Sequence, residues 1–358
     1  GINLEMFDGR LDFTGDVYVR ETTDMFAISL TPPATFGAAP PMGNYADLET
    51  RGWEMMLSWR DNFEVAGNPL DYNIRLSLAD HRAEITRYNN PDRFLNDYYE
   101  GMMLGEIWGY ETEGFFESQE DIANHADQSR FRSTSWGEYL PGDIKFRDLN
   151  GDGAITPGDN TVDNPGDRRI IGNTTPRYTF GVNLGAAYSN FFVSAFFQGV
   201  GKRDWYPSAE ANFWGQYNRP YNHIPAWHMD DGIIWSEDNP DAFFPRYVSR
   251  QASAGDGVLR QQQTGYLMNA AYVRLKNFQI GYNLPANVVS QIGMRSARIY
   301  FSGENLWSWS PLYRTADNLD IENQIAQSDE LARPNETIRQ GYNYPILRTL
   351  TLGVSVTF

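Results

Sequence analysis

Tyr178 Thr179 Phe180 Gly181 Val182 Asn183 Leu184 Gly185 Ala186 Ala187 Tyr188 Ser189 Asn190, running straight on into residues 191–200, is the stretch whose reading decides the fold. In an extended chain successive side chains point to opposite faces, so Tyr178, Phe180, Val182, Leu184, Ala186 and Tyr188 share one face. Thr179, Gly181, Asn183, Gly185 and Ala187 share the other. Ser189 and Asn190 then form a short turn, and the stretch predicts an antiparallel hairpin.

The same period of two spreads outward from it. Leu11, Phe13, Gly15, Val17 and Val19 oppose Asp12, Thr14, Asp16, Tyr18 and Arg20. Trp53, Met55, Leu57 and Trp59 oppose Glu54, Met56, Ser58 and Arg60, and Leu70, Tyr72, Ile74, Leu76 and Leu78 oppose Asp71, Asn73, Arg75 and Ser77. Further strands are expected over 272–284, 297–306 and 347–358, with a bulge or a late strand start near Asn277 where the apolar parity switches. No helical periodicity of useful length competes. Long polar stretches at 89–175 and 202–265 separate short-turned pairs, which is the asymmetry of an outer-membrane barrel. A secreted β-sandwich or propeller shows the same alternation. Trp53, Trp59, Tyr178 and Tyr188 end their segments where aromatic girdles would meet lipid headgroups. The chain closes on strict alternation through Leu352, Val354, Val356 and Phe358, which looks like the C-terminal signal that barrel assembly machinery reads.

Composition narrows the classes. With 29 Lys and Arg against 46 Asp and Glu, the net charge of −17 argues against a nucleic-acid binder, which needs a basic face for phosphates. No apolar run reaches the roughly 18 residues of a spanning helix, a test that membrane β-barrels escape because their strands average lipid-facing and lumen-facing residues. The absence of cysteine removes disulfides, thiolate metal sites and cysteine nucleophiles. The opening Gly1 Ile2 Asn3 Leu4, with no methionine or signal peptide, reads as though cut from something longer.

One loop has ligand spacing. Asp148, Asn150, Asp152, the Ala154 carbonyl, Thr156 and Asp159 stand at positions one, three, five, seven, nine and twelve of a D-x-N-x-D-G loop, with Gly153 at the sharp turn. Oxygen donors so spaced suit Ca²⁺ in a structural role, without EF-hand helices, since Pro157 and Gly158 oppose a following helix. No G-x-S-x-G, H-E-x-x-H or Walker loop is present. His223 and His228 with Asp230 and Asp231, and the acid pairs Glu111 with Glu113 and Asp238 with Asp241, read as ordinary polar surface. No enzyme is expected. Trp205, Tyr206, Phe213, Trp214, Tyr217, Tyr221, Trp227 and Trp235 crowd one connection among Asn, Asp and Arg. Such rings either stack on sugars or peptides, or contact a partner, or simply pack the loops.

These features resemble a known family. Residues 142–153 (GDIKFRDLNGDG), 171–181 (IGNTTPRYTFG), 272–282 (YVRLKNFQIGY), 302–306 (SGENL), the approach from Asn44 to Glu54 and the closing strand to Phe358 are similar to the SusC/RagA family of TonB-linked outer-membrane proteins. The resemblance implies that residues 1–358 are the C-terminal part of a 22-stranded transmembrane antiparallel β-barrel, all-β, with a plug domain that has no counterpart in this sequence. It further implies TonB-driven import of oligosaccharides or peptides across the outer membrane under a SusD-like surface lipoprotein lid. A self-contained passive porin and a secreted Ca²⁺-stabilised β-sandwich that binds glycans remain the alternatives.

Overall fold

The computed structural model describes residues 1–28, 35, 37, 42–131, 138–207, 211–217, 223–247, 257–315, 320–322 and 346–358. Nine of its strands form one sheet: β1 (Ile2–Met6), β2 (Leu11–Ile28), β3 (Met42–Val65), β4 (Asn68–Arg87), β5 (Arg177–Tyr188), β6 (Phe191–Lys202), β7 (Tyr272–Asn283), β8 (Ser296–Trp309) and β9 (Thr349–Thr357). Each pairs antiparallel with the next in chain order, a meander. The expected strands are all present, and β2, β3 and β4 run well beyond their apolar cores. β1, which has only one lightly patterned turn of sequence to announce it, was not anticipated.

Register turns the alternation of single strands into two continuous faces. Phe13 pairs with Leu57, Leu57 with Leu76, Leu76 with Val182, and Val182 with Phe197. Further along, Val193 pairs with Ile280, Ile280 with Phe301, and Phe301 with Leu352. This face carries its large apolar groups into the open: Val17 is 84%, Leu352 77% and Phe358 86% exposed. The other face is polar, with Asp12 opposite Ser58, Ser58 opposite Arg75, and Arg75 opposite Asn183. Two adjoining positions on β7 break the rhythm. The bulge between Leu275 and Asn277 restores the apolar face after the parity switch, and of the two readings of that switch the structure has the bulge rather than a late strand start.

The turns at one end are short. Tyr188 pairs with Phe191 across Ser189 and Asn190, Ser189 taking φ 55°, and Val65 pairs with Asn68. The opposite end carries the connections β4 to β5, β6 to β7 and β8 to β9, the last of which was not among the loops read from the sequence. Their described residues build a body of their own rather than open loops, around a core of Tyr110, Phe146, Ile155, Trp205, Phe213, Phe244, Tyr266 and Ile321. No helix among the described residues is long and apolar enough to cross a membrane, which says nothing of a β-barrel.

Candidate functional site

The exposed apolar face has the layout of a lipid-facing wall. Tyr178 and Tyr188 sit ten residues apart on that face of β5; at ~3.4 Å per residue and a 45° tilt they would stand about 24 Å apart along the membrane normal, close to the height of an outer-membrane apolar band. At the short-turn rim Phe7 lies against Trp59 with ring centroids 6.0 Å apart, Phe63 against Tyr72 at 5.9 Å, and Phe191 against Tyr282 at 4.7 Å. Trp59 Nε1 donates to the Tyr72 hydroxyl at 3.0 Å, so its polar edge is satisfied while the ring faces outward. Trp307 and Trp309 are exposed at the rim nearer the loop body. Aromatics with one apolar side and one hydrogen-bonding edge suit headgroup depth.

On the polar face the charged and amide side chains of neighbouring strands stand together. Asp16 pairs with Glu54, Arg20 with Thr50, Arg60 with Asn73 and Asp71 with Asn62. Arg60 also bridges to Asp12 at 3.0 Å, and Arg75 donates to Ser58 Oγ at 3.3 Å. A groove of about 490 Å³ runs along this face past Asp16, Glu54, Ser77, Thr179 and Gln198. Above it, Arg274 and Lys276 of β7 meet Asp320 and Glu322 from the last connection. The sequence reading missed these four, since nothing local marks an acid as the partner of a strand some 46 residues away.

The aromatic cluster of the second long connection faces inward. Trp205, Tyr206, Phe213, Trp214 and Tyr217 are each no more than 4% exposed. They ring Phe244, which is fully buried: Tyr217 stacks on it at 5.1 Å, Trp227 lies at 5.3 Å and His228 at 4.6 Å. Burial holds the Tyr206, Tyr217 and Tyr266 hydroxyls far above the usual phenol range, so all three are neutral. The Tyr206 hydroxyl donates to the Gln261 carbonyl at 2.8 Å and that of Tyr217 to the Pro245 carbonyl at 2.9 Å. Among the described residues singled out for ligand or lid contact, Trp227 and Trp235 are half-buried and the others are buried. Trp205, Tyr206, Trp214 and Tyr217 are loop core, because rings crowded into one connection leave water by packing on one another. Tyr221 lies outside the described residues.

This core joins two connections into one body. Arg246 forks onto Asp143 at 2.7 and 3.1 Å, the Arg246 N–H donates to the Gly142 carbonyl at 2.9 Å, and the Tyr110 N–H to the Gln262 carbonyl at 2.8 Å. Gly142, at φ 89°, lies so close under Trp235 that a Cβ there would run into the indole. Glu111 is held by Arg147 and Arg169, and Glu113 by Arg147, so this acid pair braces the body. His228 is buried, its Nε2 2.8 Å from the Phe213 carbonyl, and burial lowers its pKa.

The D-x-N-x-D-G loop hangs from this body by Ile155, which is fully buried. Asp148 accepts from the Gly151 and Gly153 N–H groups at 2.7 and 2.9 Å, chiefly the latter holding its carboxyl below the usual range. Asn150 accepts from the Asp152 N–H and Asp152 from the Ala154 N–H, each at 2.9 Å. Asp159 instead accepts from Asn164 at 2.8 Å, and Thr156 Oγ1 from the Gly158 N–H at 3.2 Å. The buried acid beside Asp148 is Asp167, which accepts from the Leu149 and Thr156 N–H groups at 2.9 and 2.7 Å; burial raises its pKa. Among the described residues no group of three or more His, Cys, Asp or Glu is gathered as a cation would need. The donor types suit a hard cation, while their oxygens here face the loop's own N–H groups.

No family model matches the chain. Along its whole length it is 26% identical to TonB-dependent receptor P3 of Formosa agariphila, covering 33% of that protein, and 27% identical to TonB-dependent receptor P26 of the same organism, covering 34%. Among solved structures, 99% of the chain superposes on 34% of a chain of the RagAB peptide transporter with a TM-score of 0.65 and 18% identity. The open-open state of the RagAB peptide importer gives 0.63 and 19%, over 99% of this chain and 33% of that one. The chain thus spans about a third of the length of the curated relatives it matches. As its resemblance to the SusC/RagA family implied, the chain is similar from end to end to part of TonB-dependent receptors and has the fold of part of a transporter barrel.

Proposed function

We propose that this chain forms part of the wall and the outer loops of a TonB-dependent importer in the outer membrane, and that it works without catalysis. The observation that carries the reading is the register-aligned apolar face, exposed from β2 to β9 and rimmed by aromatics, with the large connections confined to one end. A water-soluble sandwich would cover such a face with a second sheet. The cargo is an oligosaccharide or a peptide, and the likeness of the fold to the RagAB peptide transporter leans toward the latter. A SusD-like lipoprotein closes over the loop body, and TonB acts through the two thirds of such a receptor to which this chain does not align.

Within this reading Trp227 and Trp235 are the aromatic contacts for cargo or lid, and Leu352, Val354, Val356 and Phe358 are read by the assembly machinery. Ca²⁺ binds the loop of Asp148, Asn150, Asp152, the Ala154 carbonyl, Thr156 and Asp159 and stiffens it by neutralising acids. Calorimetry with millimolar Ca²⁺ tests that assignment, and absence of heat rejects it. The importer reading is tested by extracting the protein from outer membranes in detergent and weighing the native particle and each denatured chain. A chain far heavier than 40.8 kDa accompanied by a lipoprotein supports it; a lone chain of that mass favours the passive porin.

A further inference from the structure

The loop body holds a cleft of about 610 Å³ that shares no lining residue with the groove on the polar face of the sheet. One wall is the short strand Thr112–Phe115, which pairs with Ile144–Phe146. A second wall runs from Asp241 to Phe243 and a third from Thr264 to Tyr266. Hydrogen bonds fix these walls: the Thr112 N–H donates to Thr264 Oγ1 at 2.9 Å, the Gly265 N–H to Thr112 Oγ1 at 3.2 Å, and the Phe244 N–H to the Ile233 carbonyl at 2.8 Å. The volume is that of a small-ligand pocket.

One acid from each of the two acidic pairs in the sequence, Glu113 and Asp241, comes to this cleft. Arg147 donates to Glu113 Oε1 at 3.1 Å, and among the described residues the other oxygen has no partner. Asp241 is exposed and, among the described residues, makes no hydrogen bond or ion pair. Phe115 and Phe243 are half-buried, each packed against the loop core while also lining the cleft. Tyr266 lines it too; its side chain is only 2% exposed, yet among the described residues its hydroxyl makes no hydrogen bond, an unusual state for a buried phenol. No lysine, arginine, asparagine or glutamine is among the lining residues.

We propose that this cleft binds a basic side chain, the guanidinium or ammonium group of a peptide cargo. Carboxylates accept from every N–H of such a group, and aromatic faces attract its charge. The Tyr266 hydroxyl, kept protonated by burial, still has an oxygen that can accept one N–H more. A neutral sugar fits less well, because the free acids only accept and amides, which both donate and accept, are missing from the lining. The net charge of −17 also draws positive ligands toward the chain before contact. That a peptide carries the basic group rests on the importer reading, whereas the preference for a positive group does not.

Calorimetry on the full receptor in detergent tests this with a capped pentapeptide of four alanines around a central arginine, and the same peptide with glutamine at its centre. The arginine peptide should bind at least about tenfold more tightly than the glutamine peptide. Asp241→Asn should cost the arginine peptide about tenfold and leave the glutamine peptide unmoved, and Tyr266→Phe, which keeps the packed ring, should cost about threefold. Limited proteolysis checks that the loop body is intact in each variant; if Asp241→Asn fails that check, Tyr266→Phe and the pair of peptides decide the matter. Equal binding of the two peptides, no binding of either, or an arginine-peptide affinity unmoved in the folded variants overturns the proposal. So does loss of a bound lipoprotein in Asp241→Asn with peptide affinity intact, which assigns the cleft to the lid. Binding as expected by a receptor that takes up no peptide would keep the cleft and reject the importer; uptake of the arginine peptide unaltered by either variant would do the reverse.

Discussion

The sheet and the loop body are built from the same kinds of side chain and bury them in opposite directions. On the sheet, Val17, Leu352 and Phe358 stand in the open; in the loop body, Phe244, Ile107 and Ile155 are fully enclosed. A soluble protein would not tolerate the first arrangement, and a lipid-facing wall would not require the second. The difference shows where each region meets its solvent. In the proposed importer hydrocarbon surrounds the wall and water surrounds the loop body, which would therefore need a conventional core.

The comparison is most strongly tested at the centre of the loop core. Phe244→Ala removes the ring that Tyr217, Trp227 and His228 pack against and should cost about 3–5 kcal/mol. Limited proteolysis should then cut within the loop body while β2 to β9 stay protected; simultaneous loss of both regions would show that they are one cooperative unit. Trp214→Ala should behave in the same way, whereas Trp235→Ala should leave the body folded and reduce uptake or lid association.

In the wall the opposite substitution is the damaging one. Leu352→Arg places a charge on the outward face and should cost roughly 2–4 kcal/mol if the site lies near the bilayer midplane, read as loss of heat-modifiable mobility. Full assembly of that variant would mean that this face does not meet lipid. A smaller effect is expected at the seam between the two long connections, where Arg246→Ala strips Asp143 of its fork and should cost about 1.5–3 kcal/mol. Protection of the β4–β5 connection in hydrogen exchange would report it.

The smallest effect is a pH dependence confined to the loop body. His228 is buried and neutral, with its pKa held below the ordinary 6.5 chiefly by burial. The unfolded chain binds more protons than the folded one in this range, so the body should be fully stable above about 6.5 and lose stability as pH falls toward the folded value. Thermal melts followed by tryptophan fluorescence at pH 8 and pH 5 should differ, and His228→Phe should flatten that difference.

Much of the wall was legible because period two is a local property. The hairpin through Ser189 and Asn190, the parity switch near Asn277 and the alternation ending at Phe358 each need only a few neighbouring residues to be read. β1 was missed because five residues next to a turn carry too little pattern. The candidate site was far less legible. The D-x-N-x-D-G spacing placed Asp148, Asn150 and Asp152 together, but Asp159 goes to Asn164 and the acid that comes to Asp148 is Asp167. Aromatic crowding between Trp205 and Trp235 located the loop core without distinguishing core from contact surface, since a ring reads the same in either place.

By itself, then, the sequence determined which residues alternate, where the chain turns and which face of each strand is apolar, because those follow from backbone geometry and side-chain period within about ten residues. Tertiary structure alone decided which strands share a register, that Trp205, Trp214 and Tyr217 turn inward, and that Asp320 and Glu322 close on Arg274 and Lys276. Those outcomes depend on contacts between segments far apart in the chain, where burial and charge pairing act on whatever the folded backbone brings together.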